Sequence, residues 1–448
     1  MTPGPLAREL PPSRVVVKRP LGFLWVFATL VTALCGLAGV DGDYIGAIVL
    51  FSAVILTTIS SRELASDRRL RLAFLVVMGA HAAVCIVDGL VAITFGAEAD
   101  AYGFHEWAMR FAWTHAIDPD LVPAPFNTYT HFLGYVYRYL GTSLFLGNAV
   151  SVLGVALSCL LFAKVLRLTG VTRRAGVLLL FGLLPSGVMF MSVTLREPFQ
   201  QLFVLLALYA MLRMRGDARW FLVVLVAAVG MALSHQGLGL YAGFFIASIL
   251  TWTAGGALRR GSWFRFVGTL VVAAGVLVVS TQIPAGKGAL EAFQQGQSFE
   301  YADSYRRLGE SIESRTTYGL QLDASSPVGL VRTLPIVFLE YMFAPLPWQV
   351  GSTLDLEALF ESLLRLMLIV AGVVRWRRAR GAERSQLSLL LGLYFGMEFL
   401  WSLGTINWGT AIRHHLPGYA ILVVIGGPPL VHGVSDWLRR AVVVQRSA

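Results

Sequence analysis

Apolar segments of about twenty residues recur along the chain, and their length restricts the fold more than any other feature. A helix of about 20 residues crosses a hydrocarbon layer of about 30 Å, and this 448-residue sequence has about twelve segments near that length. Charged residues make up only 14% of the chain, against about a quarter in soluble proteins. The segments lack the strict apolar–polar alternation of a transmembrane β-barrel. The sequence therefore predicts an all-α polytopic transmembrane helical bundle of about twelve crossings.

These crossings divide the chain into seven predicted parts. A tail at 1–19 precedes three crossings in 20–95, and a long loop at 96–142 with two interfacial helices precedes six crossings in 143–283. A second long loop at 284–355 precedes three crossings in 356–433, and a tail at 434–448 follows. Within the second loop, 334–348 is apolar but short and contains proline, which favours a re-entrant or interfacial segment. The predicted crossings are 20–40, 44–60, 72–95, 143–163, 175–192, 197–212, 220–234, 238–254, 266–283, 356–374, 386–403 and 416–433.

The distribution of basic residues orients the bundle. With the N-terminus in the cytoplasm, 26 of the 36 Lys and Arg residues lie on the cytoplasmic side, as the positive-inside rule requires of short loops. The same rule explains the net charge of +10 without a nucleic-acid partner. We therefore expect a multi-pass protein with an uncleaved signal anchor, both termini in the cytoplasm and both long loops outside. The polar groups that carry any chemistry would then face outward.

The first long loop begins with a carboxylate that is a candidate for catalysis. Asp100 lies at the N-terminal edge of a helix, and a carboxylate at the mouth of a bundle suits general-base work on a hydroxyl. Alternatively, Asp100 is a helix N-cap, a position that Asp favours. Glu98 and Glu106 are the secondary candidates for the catalytic carboxylate in this segment. The apolar stripe that predicts this interfacial helix, with its rings toward lipid, consists of Phe104, Trp107, Ala108 and Phe111.

Two cationic positions lie where the chain is predicted to re-enter the membrane from outside. Arg196 precedes Glu197 and Pro198, and proline is tolerated in the first turn of a helix. Arg413 and His414 stand at the outer start of the last crossing. Because a guanidinium donates paired hydrogen bonds to phosphate, these cations are candidates for holding a phosphate. The alternatives are a local pair of Arg196 with Glu197, a snorkelling anchor, or charges that only flank a helix.

Other ionisable residues carry less specific signals. Asp88 lies within the third crossing, where a charge is costly and often functional; it either faces the same cavity as Asp100 or is a satisfied packing residue. In the second loop, Tyr305, Arg306 and Arg307 place an aromatic ring beside charges. That combination suits sugar binding or, alternatively, a solvated helical cap. The sequence has no HExxH or CxxC motif, so it assigns no metal ligands, and the need for a divalent metal stays open.

Short motifs along most of the chain resemble the GT-C class of membrane glycosyltransferases, which includes protein O-mannosyltransferases and the aminoarabinose transferase of lipid A. The first motif is Asp100-Ala-Tyr102 with His105 and Ala108. Further segments similar to those of bacterial relatives near polysaccharide-synthesis genes are 128–141, 185–186, 195–197, 345–348 and 409–414. The chain departs from the plain pattern because its acidic loop follows the third crossing rather than the first.

The resemblance implies a GT-C-like fold in the bacterial plasma membrane and an inverting sugar transfer on the outer face. The donor would be a polyprenyl-phosphate-linked sugar, and the acceptor a hydroxyl of a glycan or lipid. Asp100 would deprotonate that hydroxyl, while Arg196, Arg413 and the adjacent His414 would hold the phosphate. Tyr102 and His105 accompany the base in its motif.

Three other functions remain open from the sequence. An O-antigen-type polysaccharide polymerase shares the crossings and the long external loops, and would depend on Arg306 and Arg307 more than on Asp100. A transporter or flippase is disfavoured by the absence of a convincing internal repeat and by few intramembrane charges. A non-catalytic membrane subunit is the third alternative.

Overall fold

Helices account for nearly all of the residues that the computed structural model describes, which are 21–93, 98–114, 127–214, 217–259, 316–318, 323 and 327–447. In these residues the β-type pairing is one isolated bridge between Thr317 and Asn407. The helices are α1 (Leu21–Leu37), α2 (Gly42–Ser60), α3 (Arg62–Ser66), α4 (Arg68–Val91), α5 (Glu98–Thr114), α6 (Asn127–Leu140), α7 (Leu144–Leu168), α8 (Arg174–Gly182), α9 (Pro185–Phe190), α10 (Glu197–Arg213), α11 (Trp220–Ser234), α12 (Gln236–Arg259), α13 (Pro327–Phe343), α14 (Thr353–Arg378), α15 (Gly381–Gly404) and α16 (Trp408–Ser447). The all-α prediction is confirmed.

The lengths and surfaces of these helices are those of a membrane-embedded protein. Five helical stretches in the described residues are long and apolar enough to cross a membrane: α2, α4, α7, α15 and residues Trp408–Asp436 of α16. Helix α11 also presents a row of large apolar side chains to the outside, each 53% to 66% exposed: Leu222, Val226, Val229 and Leu233. An apolar row of this kind suits contact with lipid rather than water. The total of twelve crossings stays a prediction.

Helical structure coincides with every predicted crossing that falls in the described part of the chain, whereas 266–283 lies outside it. The segment predicted as one crossing at 175–192 consists of two short helices, α8 and α9. Pro185 stands at the start of α9, where its fixed φ and missing N–H are tolerated. The segment 334–348 includes the end of α13, which continues through Pro335, and a 3-10 turn at Pro347–Gln349.

Helix α16 lies at the centre of the bundle and packs against α8, α10, α14 and α15. Its residues from Tyr419 to Ile425 are all buried. Glycine permits the close crossing with α14, because a Cβ at Gly426 would lie 2.1 Å from the carbonyl oxygen of Leu368. Gln201 of α10 donates a 3.1 Å hydrogen bond to the carbonyl of Leu416, at a kink-prone position before Pro417. These contacts bring the start of α10 close to the first turns of α16.

Candidate active site

Arg413 of α16 joins two carboxylates that come from distant parts of the chain. Its Nη1 donates to Oδ2 of Asp100, 313 positions away. Its Nε and Nη2 both donate to Oε1 of Glu197, at 2.9 and 2.5 Å. The structure thus brings together the predicted base and one predicted phosphate ligand. It also makes Glu197 a partner of Arg413.

The three charged groups differ in their access to solvent. The side chain of Asp100 is 45% exposed, that of Arg413 is 16% exposed and that of Glu197 is 5% exposed. The cluster therefore runs from an open carboxylate inward to a buried one. A substrate that approaches from the open end of this cluster meets Asp100 first.

Local sequence explains why Glu197 sits at this depth. It is the first residue of α10, with Pro198 beside it in the first turn. Backbone N–H groups at a helix start favour a negative charge there. At the start of α16, the Asn407 side chain caps the amide of Thr410 at 2.7 Å, and the Trp408 indole donates to Asp355 of α14 at 3.0 Å. These contacts fix the helix end from which Arg413 projects.

Arg196 lies at the N-cap of α10 and is buried. Its guanidinium lies over the Phe104 ring of α5, 5.8 Å from the centroid. The guanidinium of Arg413 lies over the Phe190 ring at 5.9 Å. Both distances fall within the cation–π range. Arg196 adjoins Glu197, the partner of Arg413, and both cations act on His235, so Arg196 and Arg413 border one cluster together with the two carboxylates.

Histidine and tryptophan rings form the adjoining wall. The ring of His414 stacks on Trp401 at 4.0 Å, and its Nδ1 is hydrogen-bonded to Thr405 at 2.7 Å. His235, between α11 and α12, packs edge-on against Trp401 at 4.7 Å. Burial, reinforced by the nearby charges of Arg196 and Arg413, holds the pKa of His235 well below its usual range. His414 is thus engaged with this wall, which gives it a partner other than a phosphate.

The apolar stripe of α5 faces protein, so the prediction that its rings turn toward lipid is wrong. Phe104, Ala108 and Phe111 are buried. Phe104 packs edge-on against Tyr129 of α6 at 5.1 Å, and Phe111 packs against His131 at 4.7 Å. The reason is that α6 supplies a second apolar face, so the two helices cover each other's stripes. Periodicity identified the stripe but not its partner.

Asp88 belongs to a packing network and makes no hydrogen bond to Asp100 in the described residues. It is buried, and its Oδ2 accepts a 2.8 Å hydrogen bond from Nδ2 of Asn148 on α7. The Oδ1 of the same Asn148 accepts a 2.8 Å hydrogen bond from Thr194. Of the two alternatives left by the sequence, the structure favours the satisfied packing residue.

The remaining predicted site residues fall at the edge of the cluster or outside the described part. Glu106 is exposed on α5, and Tyr102 is half-buried on the same helix. Glu98 begins α5, but its side chain lies outside the described residues. Tyr305, Arg306 and Arg307 also lie outside the described residues.

A short segment near the middle of the second long loop contacts the start of α16. Thr317 forms the isolated antiparallel bridge with Asn407. The amide of Tyr318 donates to the carbonyl of Ile406 at 2.8 Å, and the amide of Trp408 donates to the carbonyl of Thr316 at 3.1 Å. Segment 316–318 therefore contacts the connection that precedes Arg413.

Sequence reasoning missed Glu197, His235 and Trp401 as members of the site. Glu197 had a usable signal, because an acidic residue in the first turn of a largely apolar helix needs a charged partner. The rings of His235 and Trp401 had none, since their contact depends on how α11, α12 and α15 pack. Among the described residues, no group of three or more His, Cys, Asp or Glu side chains is arranged to hold a metal ion.

Comparison with known families, with curated proteins and with solved structures finds no match for this chain.

Proposed function

We propose that the protein is a membrane glycosyltransferase that moves a sugar from a polyprenyl-phosphate donor to a hydroxyl of a glycan or lipid on the outer face. The observation that supports this most is the meeting of Asp100, Glu197 and Arg413 at one end of the bundle, beside Arg196. A base and paired guanidinium groups are the parts that a transfer from a sugar phosphate needs.

A lipid-linked donor matches the arrangement of apolar and charged surfaces. Its polyprenyl tail needs a hydrocarbon environment, and the outward row from Leu222 to Leu233 borders such an environment. Its phosphate needs cationic hydrogen-bond donors, and guanidinium groups match phosphate oxygens in pairs. The head group would lie between the lipid and the open carboxylate of Asp100.

The chemistry is an inverting displacement. Asp100 accepts the proton of the acceptor hydroxyl, whose oxygen forms a bond to the anomeric carbon. The bond between that carbon and the phosphate oxygen breaks as the new bond forms, and polyprenyl phosphate leaves with the electron pair. Arg196 and Arg413 stabilise the negative charge that develops on the phosphate.

The ion pair between Asp100 and Arg413 gives donor binding a second role in this scheme. Oδ2 of Asp100 already accepts the hydrogen bond from Nη1 of Arg413, so this oxygen is not free to accept a bond from an acceptor hydroxyl. The donor phosphate would replace Asp100 at Nη1 of Arg413, while Glu197 keeps Nε and Nη2 in place. Asp100 would then be released toward the acceptor hydroxyl only when the donor is bound.

The Asp100→Asn variant tests this function. Purified protein in nanodiscs is given a panel of undecaprenyl-phosphate hexoses with a cell-envelope fraction as acceptor, and release of undecaprenyl phosphate is followed by mass spectrometry. We expect a loss of about 100-fold or more in the variant. The matched control is Glu106→Gln, which removes the same charge from an exposed position of the same helix. Full activity of Asp100→Asn would eliminate Asp100 as the base.

The polymerase remains the second candidate because of one contact. Segment 316–318, which follows Arg306 and Arg307 in the sequence, pairs with the connection before Arg413. A polymerase would add lipid-linked oligosaccharides in ladders of repeat units, whereas a transferase makes single additions. Product length, together with the activity of an Arg306→Gln/Arg307→Gln variant, separates the two.

A further inference from the structure

An open groove of about 630 Å³ lies between α12 and α15, at the end of the bundle opposite the candidate active site. Arg384 lines the groove near the start of α15, whereas Trp401, near the other end of the same helix, belongs to the wall beside Arg413. Seventeen positions separate these two residues, about 26 Å along the helix axis. That distance is close to the thickness of a hydrocarbon layer, so the groove opens on the other side of the membrane.

The lining of the groove changes from polar to apolar along its length. Thr251, Arg384 and Ser385 line the end near the start of α15. Phe244 and Leu393 line it further in, and Leu393 lies nine positions beyond Arg384, about 14 Å along the axis. The hydrocarbon of one leaflet is about 15 Å deep, half of the whole layer. A molecule that fills the groove therefore needs a polar head and an apolar chain.

Gly392 leaves the floor of the groove without a side chain. A Cβ built there would meet no heavy atom within 4 Å, although the residue lies inside a 24-residue helix and glycine is a poor helix former. At Gly396, one turn further on, a Cβ would lie 2.3 Å from the ring of Phe244. Gly396 thus lets α12 and α15 approach each other, whereas Gly392 widens the space between them.

An aromatic ring, rather than a carboxylate, holds Arg384 at the polar end. Its guanidinium lies over the Trp376 ring of α14, 5.0 Å from the centroid. The indole of Trp376 donates a 2.8 Å hydrogen bond to Ser388, which fixes the ring. Arg384 is exposed and forms no salt bridge within the described residues. Its N–H groups are therefore available to an anion.

The surface around this end of the groove is strongly basic. The segment 375–384 contains five Arg residues and one Glu. That carboxylate, Glu383, is bonded to Arg375 at 3.2 Å. The other four guanidinium groups are exposed and have no carboxylate partner in the part of the chain that the structure describes: Arg377, Arg378, Arg380 and Arg384. Clustered basic residues at a membrane surface attract anionic lipids.

We propose that this groove binds one phospholipid with an anionic head group, taken from the leaflet opposite the candidate active site. The phosphate lies at Arg384, and one acyl chain runs past Gly392 toward Phe244 and Leu393. A free phosphate would leave the apolar half of the groove unfilled, and a neutral lipid would leave the basic surface without a counter-charge. The charge rule predicts that this side is cytoplasmic. Binding here needs no chemistry at Asp100, so it is independent of the proposed function.

The test measures bound lipid by native mass spectrometry. Purified protein in detergent is titrated with phosphatidylglycerol or with phosphatidylcholine of the same chain length. We expect one tightly retained phosphatidylglycerol, and an affinity for phosphatidylcholine that is at least about fivefold lower, because its ammonium group is repelled by the basic surface. Equal affinities would overturn the proposal. So would the absence of any retained lipid, which would leave the groove to a protein partner.

The Gly392→Leu variant fills the groove, and its side chain enters open space, so the helix should be kept. It should lower the affinity for phosphatidylglycerol at least about tenfold, because the acyl chain loses its contact with the groove. The matched control is Gly79→Leu on α4, another exposed helical glycine whose added Cβ would meet nothing within 4 Å. An unchanged affinity in Gly392→Leu, or an equal loss in Gly79→Leu, would overturn the proposal.

The Arg384→Gln variant tests the position of the phosphate. It should lower the affinity for phosphatidylglycerol about fivefold and leave that for phosphatidylcholine nearly unchanged. Arg69→Gln removes the same charge from an exposed position at the start of α4 and should keep the wild-type affinities. An unchanged preference for phosphatidylglycerol in Arg384→Gln would contradict a phosphate at this residue and overturn the proposal.

Discussion

Replacing Arg413 with Met should destabilise the protein far more than replacing Asp100 with Asn, although both changes break the same salt bridge. Arg413→Met also removes both hydrogen bonds to Glu197, whose side chain is only 5% exposed. Leaving a buried carboxylate without its partner lowers the free energy of unfolding by about 3–5 kcal/mol, unless the carboxylate takes up a proton. The Asp100 side chain is 45% exposed, so its salt bridge with Arg413 contributes at most about 1 kcal/mol to the free energy of unfolding.

The free energies of unfolding can be measured by circular dichroism in mixed micelles as the mole fraction of SDS rises. The double variant Arg413→Met/Glu197→Leu provides the internal check, because it removes the carboxylate together with its cation. It should recover at least about 2 kcal/mol of the loss in Arg413→Met. The reasoning is refuted if Arg413→Met costs no more than Asp100→Asn, or if the double variant recovers nothing.

Three further outcomes are expected. Arg196→Gln should raise KM for the donor at least about tenfold. Arg196→Lys keeps the charge but loses the paired hydrogen-bond donors, so its KM should lie between those of the wild type and Arg196→Gln. Equal KM values in all three proteins would remove Arg196 from the phosphate site. Gly426→Ala should lower the free energy of unfolding by about 1–3 kcal/mol, because the new methyl would meet the backbone of Leu368; an unchanged unfolding curve would contradict the close crossing. Since burial lowers the pKa of His105 and the charge of Glu106 only partly offsets that effect, the His105 ring should titrate below its ordinary value of 6.5 in ¹⁵N NMR of histidine-labelled protein; a midpoint at or above 6.5 would contradict this reasoning.

Much of the fold follows from one-dimensional patterns, because a helix in lipid must satisfy its backbone hydrogen bonds internally and must be long enough to cross. The length of an apolar segment therefore located α2, α4, α7, α15 and α16. The interruption at Pro185 and the continuity through Pro335 were less predictable. Both depend on whether neighbouring groups satisfy the backbone around a proline, which a local pattern does not encode.

For the site, the sequence supplied candidates but not their pairing. Asp100, Arg196 and Arg413 stood out because charges are rare at the ends of apolar segments. Because Arg196 and Glu197 are adjacent in the sequence, a pair between them was the simplest local expectation. Glu197 instead bonds to Arg413, 216 positions away. Adjacent residues at a helix start point in different directions, and a distant helix filled the space that Glu197 faces.

The sequence by itself determined that this protein is helical, that it is embedded in a membrane, and which residues could bear charge at the ends of its helices. Only the tertiary structure decided which of those charges meet and which face of α5 is covered. The physical reason is that hydrophobicity and length act along one segment at a time. Ion pairs and hydrogen-bond chains depend instead on the rotation and approach of several helices at once, and those are set by packing.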